Sequence, residues 1–238
     1  MYIVTGGGTG IGRAIALALH GQGRQVLIAG RRRGPLDDVV RASGGAITAV
    51  PCDSSTPAGA EAVAAGVAGD VEGLAHCAGG NPAIGRPDPD SLEAEAALLG
   101  ETIAGNLTSA ALTVTALAGR MTAGSSVVLF GSIAAERGVG YYGPAKAAVA
   151  SYAVGLAHAL GPRDIRVNCI SPGYIAGTEF FRGRLSPDRA AGLRAQTATG
   201  RTGEPGDAVA LALFLLSAEA RHLTGQNFHL NGGAFTTR

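Results

Sequence analysis

The stretch "YIVTGGGTGIGRAIALALHG", residues 2–21, decides the fold. "YIV" (2–4) is a short apolar run ended by a threonine and glycines, which reads as a buried strand. Ile11, Ile15 and Leu19 then repeat every four residues up to Gly21, one face of a helix. The glycines between allow positive φ and bring backbone N–H groups close to a ligand. At a helix N-terminus the dipole there favours negative charge. Strand, glycine loop and helix in this order read as a pyrophosphate-binding turn.

The same alternation runs to the other end. "QVLIA" (25–29), "AITAV" (46–50), "GLAH" (73–76), "SVVLF" (126–130), "IRVNCI" (165–170) and "NFHL" (227–230) read as further strands. Most are short and apolar without alternation, as parallel strands buried on both faces are. Ile103, Leu107, Ala110, Val114 and Leu117 mark one long helix, and Val149, Tyr152, Leu156 and Leu160 another. This order predicts an α/β, doubly wound Rossmann fold: a single, mostly parallel seven-stranded sheet with helices on both faces. No repeat, linker or low-complexity segment divides residues 1–238, so one domain is expected.

Charged residues are 16% and hydrophobic residues 46% of the chain, the balance of a packed globule rather than a disordered tail. A formal net charge of +1 gives no field to draw in nucleic acid or anionic membrane, so neither is an expected partner. Cys52, Cys77 and Cys169 are odd in number and far apart, and the five histidines lack ligand spacing. Neither a disulfide framework nor a metal site is expected. "MYIVTGGGTG" has neither the basic nor the apolar region of a signal peptide, and no apolar run reaches membrane-spanning length. The expected location is the cytoplasm.

Strand two ends in "AGRRRG" (29–34). A dinucleotide fold that prefers NAD usually places a carboxylate there, about 20 residues past the glycine loop, to hold the ribose 2′-hydroxyl. Here Gly30 is followed by Arg31 and Arg32, while Asp37 and Asp38 come later, in the following helix. Arginine holds a 2′-phosphate bidentately and stacks on adenine. NADP(H) is therefore expected over NAD(H), which stays open as the alternative.

Lys146 is the only lysine; the other 18 of the 19 Lys and Arg residues are arginine. In "YYGPAK" (141–146) it lies four residues after Tyr142, one helical turn away on the same face. Tyr141, five residues away, is rotated off that face. Reduction of a carbonyl by hydride needs a proton donor, and the reverse reaction needs a base. A tyrosine of pKa about 10 is a poor base unless a nearby cation favours the phenolate. A compact ammonium also donates several hydrogen bonds that a planar guanidinium cannot place. Ser132 follows "SVVLF", at the carboxyl edge of the sheet, where its hydroxyl can stabilise a developing oxyanion.

Together these residues resemble the short-chain dehydrogenase/reductase family, classical type, over nearly the whole chain. Thr5, Gly6, Gly10 and Gly12 match its cofactor loop T-G-x-x-x-G-x-G, with Thr9 and Ile11 inside it, and "YGPAK" matches its Tyr-x-x-x-Lys. "HCAGG" (76–80) stands in place of the family's Asn-Ala-Gly, with Cys77 where Asn is usual, so Cys77, Ala78 and Gly79 are expected along the cofactor. Asp53 resembles the aspartate placed by the adenine. "SPG" (171–173) resembles the Pro-Gly turn beside the nicotinamide, which puts Pro172, Gly173 and Ile175 there. Thr178 resembles the threonine that bonds the carboxamide. Asn106 in "IAGNLTSA" (103–110) resembles the asparagine that holds a water in the proton relay. "TGQNFHLNGG" (224–233) resembles the C-terminal strand, with Asn231 where Asp is common.

The resemblance implies a ketone/secondary-alcohol oxidoreductase with Tyr142 as general acid/base and Asn106, Ser132 and Lys146 completing the set. Small-molecule substrates, including 3-oxoacyl compounds, and a homotetramer or homodimer built on the two alanine-rich helices belong to the same expectation. One departure stands out: Ser132 and Tyr142 are ten residues apart, a few fewer than the family usually has, with Gly138 and Gly140 available to tighten the connection. Residues 174–200 are expected to form a substrate lid, with Phe180 and Phe181 as an apolar wall and Arg182 and Arg184 nearby. Two other readings use the same fold. A non-catalytic dinucleotide sensor needs only the glycine loop, and an epimerase-like relative needs a larger C-terminal portion than follows residue 173.

Overall fold

The computed structural model describes residues 1–237. Seven strands form one sheet: β1 Tyr2–Thr5, β2 Val26–Gly30, β3 Thr48–Pro51, β4 Val71–His76, β5 Met121–Phe130, β6 Arg166–Pro172 and β7 Asn227–Leu230. Their order is β3-β2-β1-β4-β5-β6-β7, and every pairing is parallel. The chain runs outward from β1 to one edge, returns to β4 and continues to the other edge. The crossover point lies between β1 and β4, where ligands of open α/β sheets bind.

Nine α-helices connect the strands among the described residues: α1 Gly10–Gly21, α2 Arg33–Ala42, α3 Pro57–Ala65, α4 Leu92–Ile103, α5 Ser109–Ala118, α6 Ala134–Arg137, α7 Tyr142–Leu160, α8 Pro187–Ala195 and α9 Pro205–Leu216. Successive strand residues point to opposite faces. Ile3 packs with Val63, Val114 and Val149 from α3, α5 and α7. Its neighbour Val4 joins Ile15, Leu36 and Leu215 from α1, α2 and α9. With helices on both faces most central-strand positions are buried and apolar, which explains the missing alternation. Each fully buried Ile or Leu contributes about 1.5–3 kcal/mol of transfer free energy.

Two elements differ from the sequence expectation. β5 begins at Met121, ahead of "SVVLF": Val71 pairs with Met121 but Gly73 with Ser126, so extra residues bulge out around Gly124 (φ 86°). The expected Ile103–Leu117 helix is interrupted by a π-helical turn, Ala104–Thr108, between α4 and α5. Polar side chains account for the break. Asn106 Nδ2 donates to the Thr102 carbonyl (2.8 Å) and Ser109 Oγ to the Gly105 carbonyl (2.9 Å), so side chains take up backbone acceptors inside the helix. Such π-turns are found frequently at functional sites.

Candidate active site

The carboxyl ends of β1, β4, β5 and β6 deliver the glycine loop, "HCAGG", Ser132 and Pro172 to one cleft. The loop is tight by necessity. Gly6 has φ 62°, and a Cβ there would lie 2.8 Å from the Cys77 and Ala78 backbone; at Gly12 it would lie 2.4 Å from the Gly6 carbonyl oxygen. Thr9 is the N-cap of α1 but makes no side-chain capping bond, so the first turn keeps its N–H groups for an anion. Gly10 and Ile11 follow at the helix start. Glycine at these positions lets the loop fold tightly on itself and on the Cys77–Ala78 backbone while the N–H groups of the first turn of α1 stay uncapped, which fits the pyrophosphate of a dinucleotide.

A buried polar relay fastens this loop to the π-turn. His76 Nδ1 is 2.9 Å from Thr5 Oγ1, and His76 Nε2 is 3.1 Å from Ser109 Oγ. Thr5 Oγ1 also accepts from the Ala78 N–H (3.2 Å). Burial, reinforced by the Lys146 charge, pushes the His76 pKa down to about 3, so the ring is neutral near neutrality. Asn106 completes the fastening: Nδ2 donates to the Gly80 carbonyl (2.9 Å) and Oδ1 accepts from the Gly80 N–H (3.1 Å). Both ends of the Asn106 amide are spent on backbone, so its side chain positions the "HCAGG" loop and is not itself presented to a substrate. Burial pushes the Cys77 thiol upward, against the Lys146 charge, and it stays a neutral filler.

Tyr142 and Lys146 open α7, and both are buried. Ser132 lies beside the phenol and partly offsets the effect of burial on it, and its Oγ accepts from the Ala134 N–H (3.1 Å). The ten-residue connection therefore closes: α6 ends at Gly138 (φ 61°), and Gly140 (φ 45°) turns the chain into α7. The electrostatics differ from the sequence reading. Burial pushes the Tyr142 pKa up to about 12, and Lys146 does not reverse this. Its Nζ donates to the Phe130 carbonyl (2.7 Å) and lies 5.8 Å from the Tyr142 ring centroid, directed at backbone rather than at the phenol oxygen. Burial brings the Lys146 pKa down to about 8. Gly79 (φ 147°) lines the same spot; a Cβ there would come 3.1 Å from Lys146 Nζ and 2.6 Å from Asn106 Oδ1. Tyr141 is turned away and hydrogen-bonds Glu95 of α4.

Arg31 and Arg32 lie between β2 and α2, both exposed. Asp53 follows β3; its carboxylate accepts from the Ser55 N–H (3.0 Å) and hydroxyl (2.7 Å), which hold its pKa below the usual carboxylate value. At the far side Pro172 ends β6, and Gly173 packs so closely on Asn231 that a Cβ would lie 2.8 Å from the Asn231 Cβ. Ile175 is buried and bridges to Gly203. Thr178 donates to the Ile175 carbonyl (3.2 Å) and lies 3.6 Å from where a Gly10 Cβ would be, so it covers the glycine loop.

Three features escaped the sequence reading. The first is the His76 relay, whose only trace is a histidine ending an otherwise apolar strand. The second is an ion pair between Arg32 and Glu179 across the cleft, 2.6 Å. The third is an aromatic file: Tyr174 to Phe181 at 5.8 Å, Phe181 to Phe180 at 5.0 Å and Phe180 to Tyr142 at 5.6 Å between ring centroids. Phe180 thus lies against the Tyr142 ring. Among the described residues no three His, Cys, Asp or Glu side chains gather as metal ligands, and no helix is long and apolar enough to cross a membrane.

This fold and cleft are those of a dinucleotide-dependent oxidoreductase, and the comparisons with known proteins agree. The family model described as enoyl-(acyl carrier protein) reductase matches residues 6–235. An L-rhamnose 1-dehydrogenase (NAD(P)(+)) of Azotobacter vinelandii is 35% identical over 98% of this chain and 95% of its own length. Among solved structures, a short-chain type dehydrogenase/reductase from Mycobacterium ulcerans has a TM-score of 0.88 at 33% identity, covering 98% of this chain and 88% of its own. A short-chain dehydrogenase from Burkholderia cenocepacia, in complex with NADP, has a TM-score of 0.87 at 29% identity, covering 98% and 96%. The chain belongs to the classical short-chain dehydrogenase/reductase family, enzymes that act on CH–OH groups with NAD(P).

Proposed function

We propose that this enzyme is an NADP(H)-dependent reductase of ketones to secondary alcohols, with Tyr142 as the proton donor. The observation that carries the reading is the buried Tyr142–Ser132 pair at the mouth of the glycine-loop cleft, with Lys146 one helical turn behind it. The nicotinamide cofactor, when bound, supplies the hydride to the carbonyl carbon. Ser132, whose Oγ accepts from the Ala134 N–H, has its hydroxyl hydrogen to donate to the carbonyl oxygen once substrate is bound. Tyr142 gives its phenolic proton to that oxygen as the C–O π bond becomes an O–H bond, and a phenolate remains. With its pKa near 12 the phenol is fully protonated at neutral pH, while the alkoxide it meets is a far stronger base. At neutral pH the site therefore holds its proton donor in the protonated form that reduction uses. Lys146, charged below about pH 8, stands ready to hold ribose hydroxyls and the phenolate left after transfer.

Arg31 and Arg32, with no carboxylate at position 30, support NADP(H) over NAD(H). Residues 174–200 act as the substrate lid, and Phe180 on Tyr142 favours ketones with an apolar flank. Leu92 and Leu99 of α4 and Val154 of α7 are exposed, which supports assembly of copies through these helices. The test is a panel of ketones and alcohols assayed by absorbance with all four nicotinamide cofactors. Ketone reduction with NADPH, more efficient than with NADH, is the expected result. Equal or better use of NADH would overturn the cofactor reading, and no turnover of any ketone or alcohol would overturn the catalytic one.

A further inference from the structure

The Arg32–Glu179 pair joins parts of the chain 147 residues apart, and both side chains are well exposed. Glu179 opens a tight turn in the lid: the Arg182 N–H donates to the Glu179 carbonyl at 2.9 Å, and Arg182 takes φ 52°, a left-handed conformation that side chains disfavour. The turn is pinned on three other sides. Thr178 sits on Gly10, Phe180 lies on Tyr142, and Arg182 Nη1 donates to the Ile84 carbonyl (3.3 Å). One short turn therefore touches the glycine loop, the catalytic tyrosine and the arginine pair. Arg31 makes no ion pair among the described residues, so Glu179 selects Arg32.

We propose that Glu179 is a specificity-determining residue for the cofactor, competing with a ribose 2′-phosphate for the Arg32 guanidinium. The proposal rests on the reading that Arg31 and Arg32 receive that phosphate. A carboxylate and a phosphate both seek the same guanidinium fork, and the two anions repel each other when brought together. A 2′-phosphate must take Arg32 from Glu179 and frees the lid turn from one of its anchors. A plain 2′-hydroxyl makes no such demand and leaves the pair in place. Glu179 thus narrows the advantage of NADP(H) over NAD(H) and makes the hold on the lid depend on which cofactor arrives.

The test is equilibrium binding by calorimetry, with no turnover involved. Adenosine 2′,5′-bisphosphate and adenosine 5′-monophosphate are titrated into wild type, Glu179→Gln, Arg32→Gln and the double variant at one ionic strength. Wild type should bind the bisphosphate more tightly. Glu179→Gln should tighten the bisphosphate roughly two- to fivefold, the range of one exposed ion pair, and leave the monophosphate unchanged. In the Arg32→Gln background Glu179→Gln should have no effect on either probe. A gain shared by both probes, a gain that persists without Arg32, or a loss of bisphosphate affinity (the pair acting as a clasp) would each overturn the proposal. If wild type and Glu179→Gln both bind the two probes equally, the 2′-phosphate reading itself fails, and the competition with it.

Discussion

At the scale of single residues, Lys146 and Tyr142 divide their labour differently from what spacing alone suggests. The sequence places them one turn apart, and the structure keeps that spacing. It cannot tell where the ammonium points, because that depends on Phe130 at the end of another strand. Tyr142 stays a strong-pKa phenol, and Lys146 is the group that titrates within reach, near pH 8. Ketone reduction should therefore fall as pH rises through about 8, when Lys146 loses its proton, while Tyr142 remains protonated. Alcohol oxidation, which needs both the phenolate and the charged Lys146, should rise with pH up to about 8 and level off above it. Lys146→Arg should abolish the limb near pH 8, since a guanidinium does not titrate there, and should leave a rate far below wild type. Its side chain must fit a space bounded by Gly79 and Asn106. Rate profiles from pH 6 to 10 check this. A limb near 8 that survives in Lys146→Arg would assign it to another group.

At the scale of elements, strands and glycine loop were legible because their signals are local: apolar runs between glycines, in the order that only a crossover sheet satisfies. The π-turn was not legible. Ile103 to Leu117 keep a helical period throughout, and the turn arises from what Asn106 and Ser109 reach, namely Gly80, Thr102, Gly105 and His76. Removing those reaches tests the role given to Asn106. Asn106→Ala leaves the Gly80 N–H and carbonyl without partners, and should cost about 1–3 kcal/mol of stability, measured by denaturant unfolding. It should also raise the KM for cofactor more than it lowers kcat, because the "HCAGG" loop loosens. A fall in kcat alone would return Asn106 to the chemistry itself. The lid belongs to this scale too. From sequence Phe180 reads as an apolar wall, but its seat on Tyr142 depends on a turn that no periodicity reveals. Phe180→Ala should raise KM for apolar ketones several-fold while the cofactor KM holds.

At the scale of the whole molecule, a net charge of +1 gives no hint of the buried titratable groups. His76 links stability to pH. Its folded pKa, about 3, lies below the unfolded value near 6.5, so the unfolded chain binds the proton first as the solution is acidified. Stability from this source is whole above pH 6.5 and falls as pH drops toward 3. By pH 5 the loss from His76 is roughly 2 kcal/mol. His76→Gln should be less stable than wild type at pH 7, having lost a fitted relay between Thr5 and Ser109, yet should lose less on going from pH 7 to pH 5. Parallel losses in the two proteins would mean that other groups carry the acid sensitivity. Assembly is testable at the same scale. With Leu92, Leu99 and Val154 exposed on α4 and α7, light scattering should find a homotetramer or homodimer, and a monomer at micromolar concentration would contradict it.

The account turns on Tyr142 as the group that gives its proton to the carbonyl oxygen. The measurement that bears on it most directly is ketone reduction by Tyr142→Phe, alongside NADPH binding followed by the cofactor's own fluorescence. The phenylalanine keeps the ring against Phe180 and loses only the hydroxyl beside Ser132. NADPH should bind within a few-fold of wild type while kcat falls by about a thousandfold, within the range that positioned acid catalysis supplies. A variant that bound NADPH normally and still reduced ketones within tenfold of the wild-type rate would show that the proton comes from elsewhere.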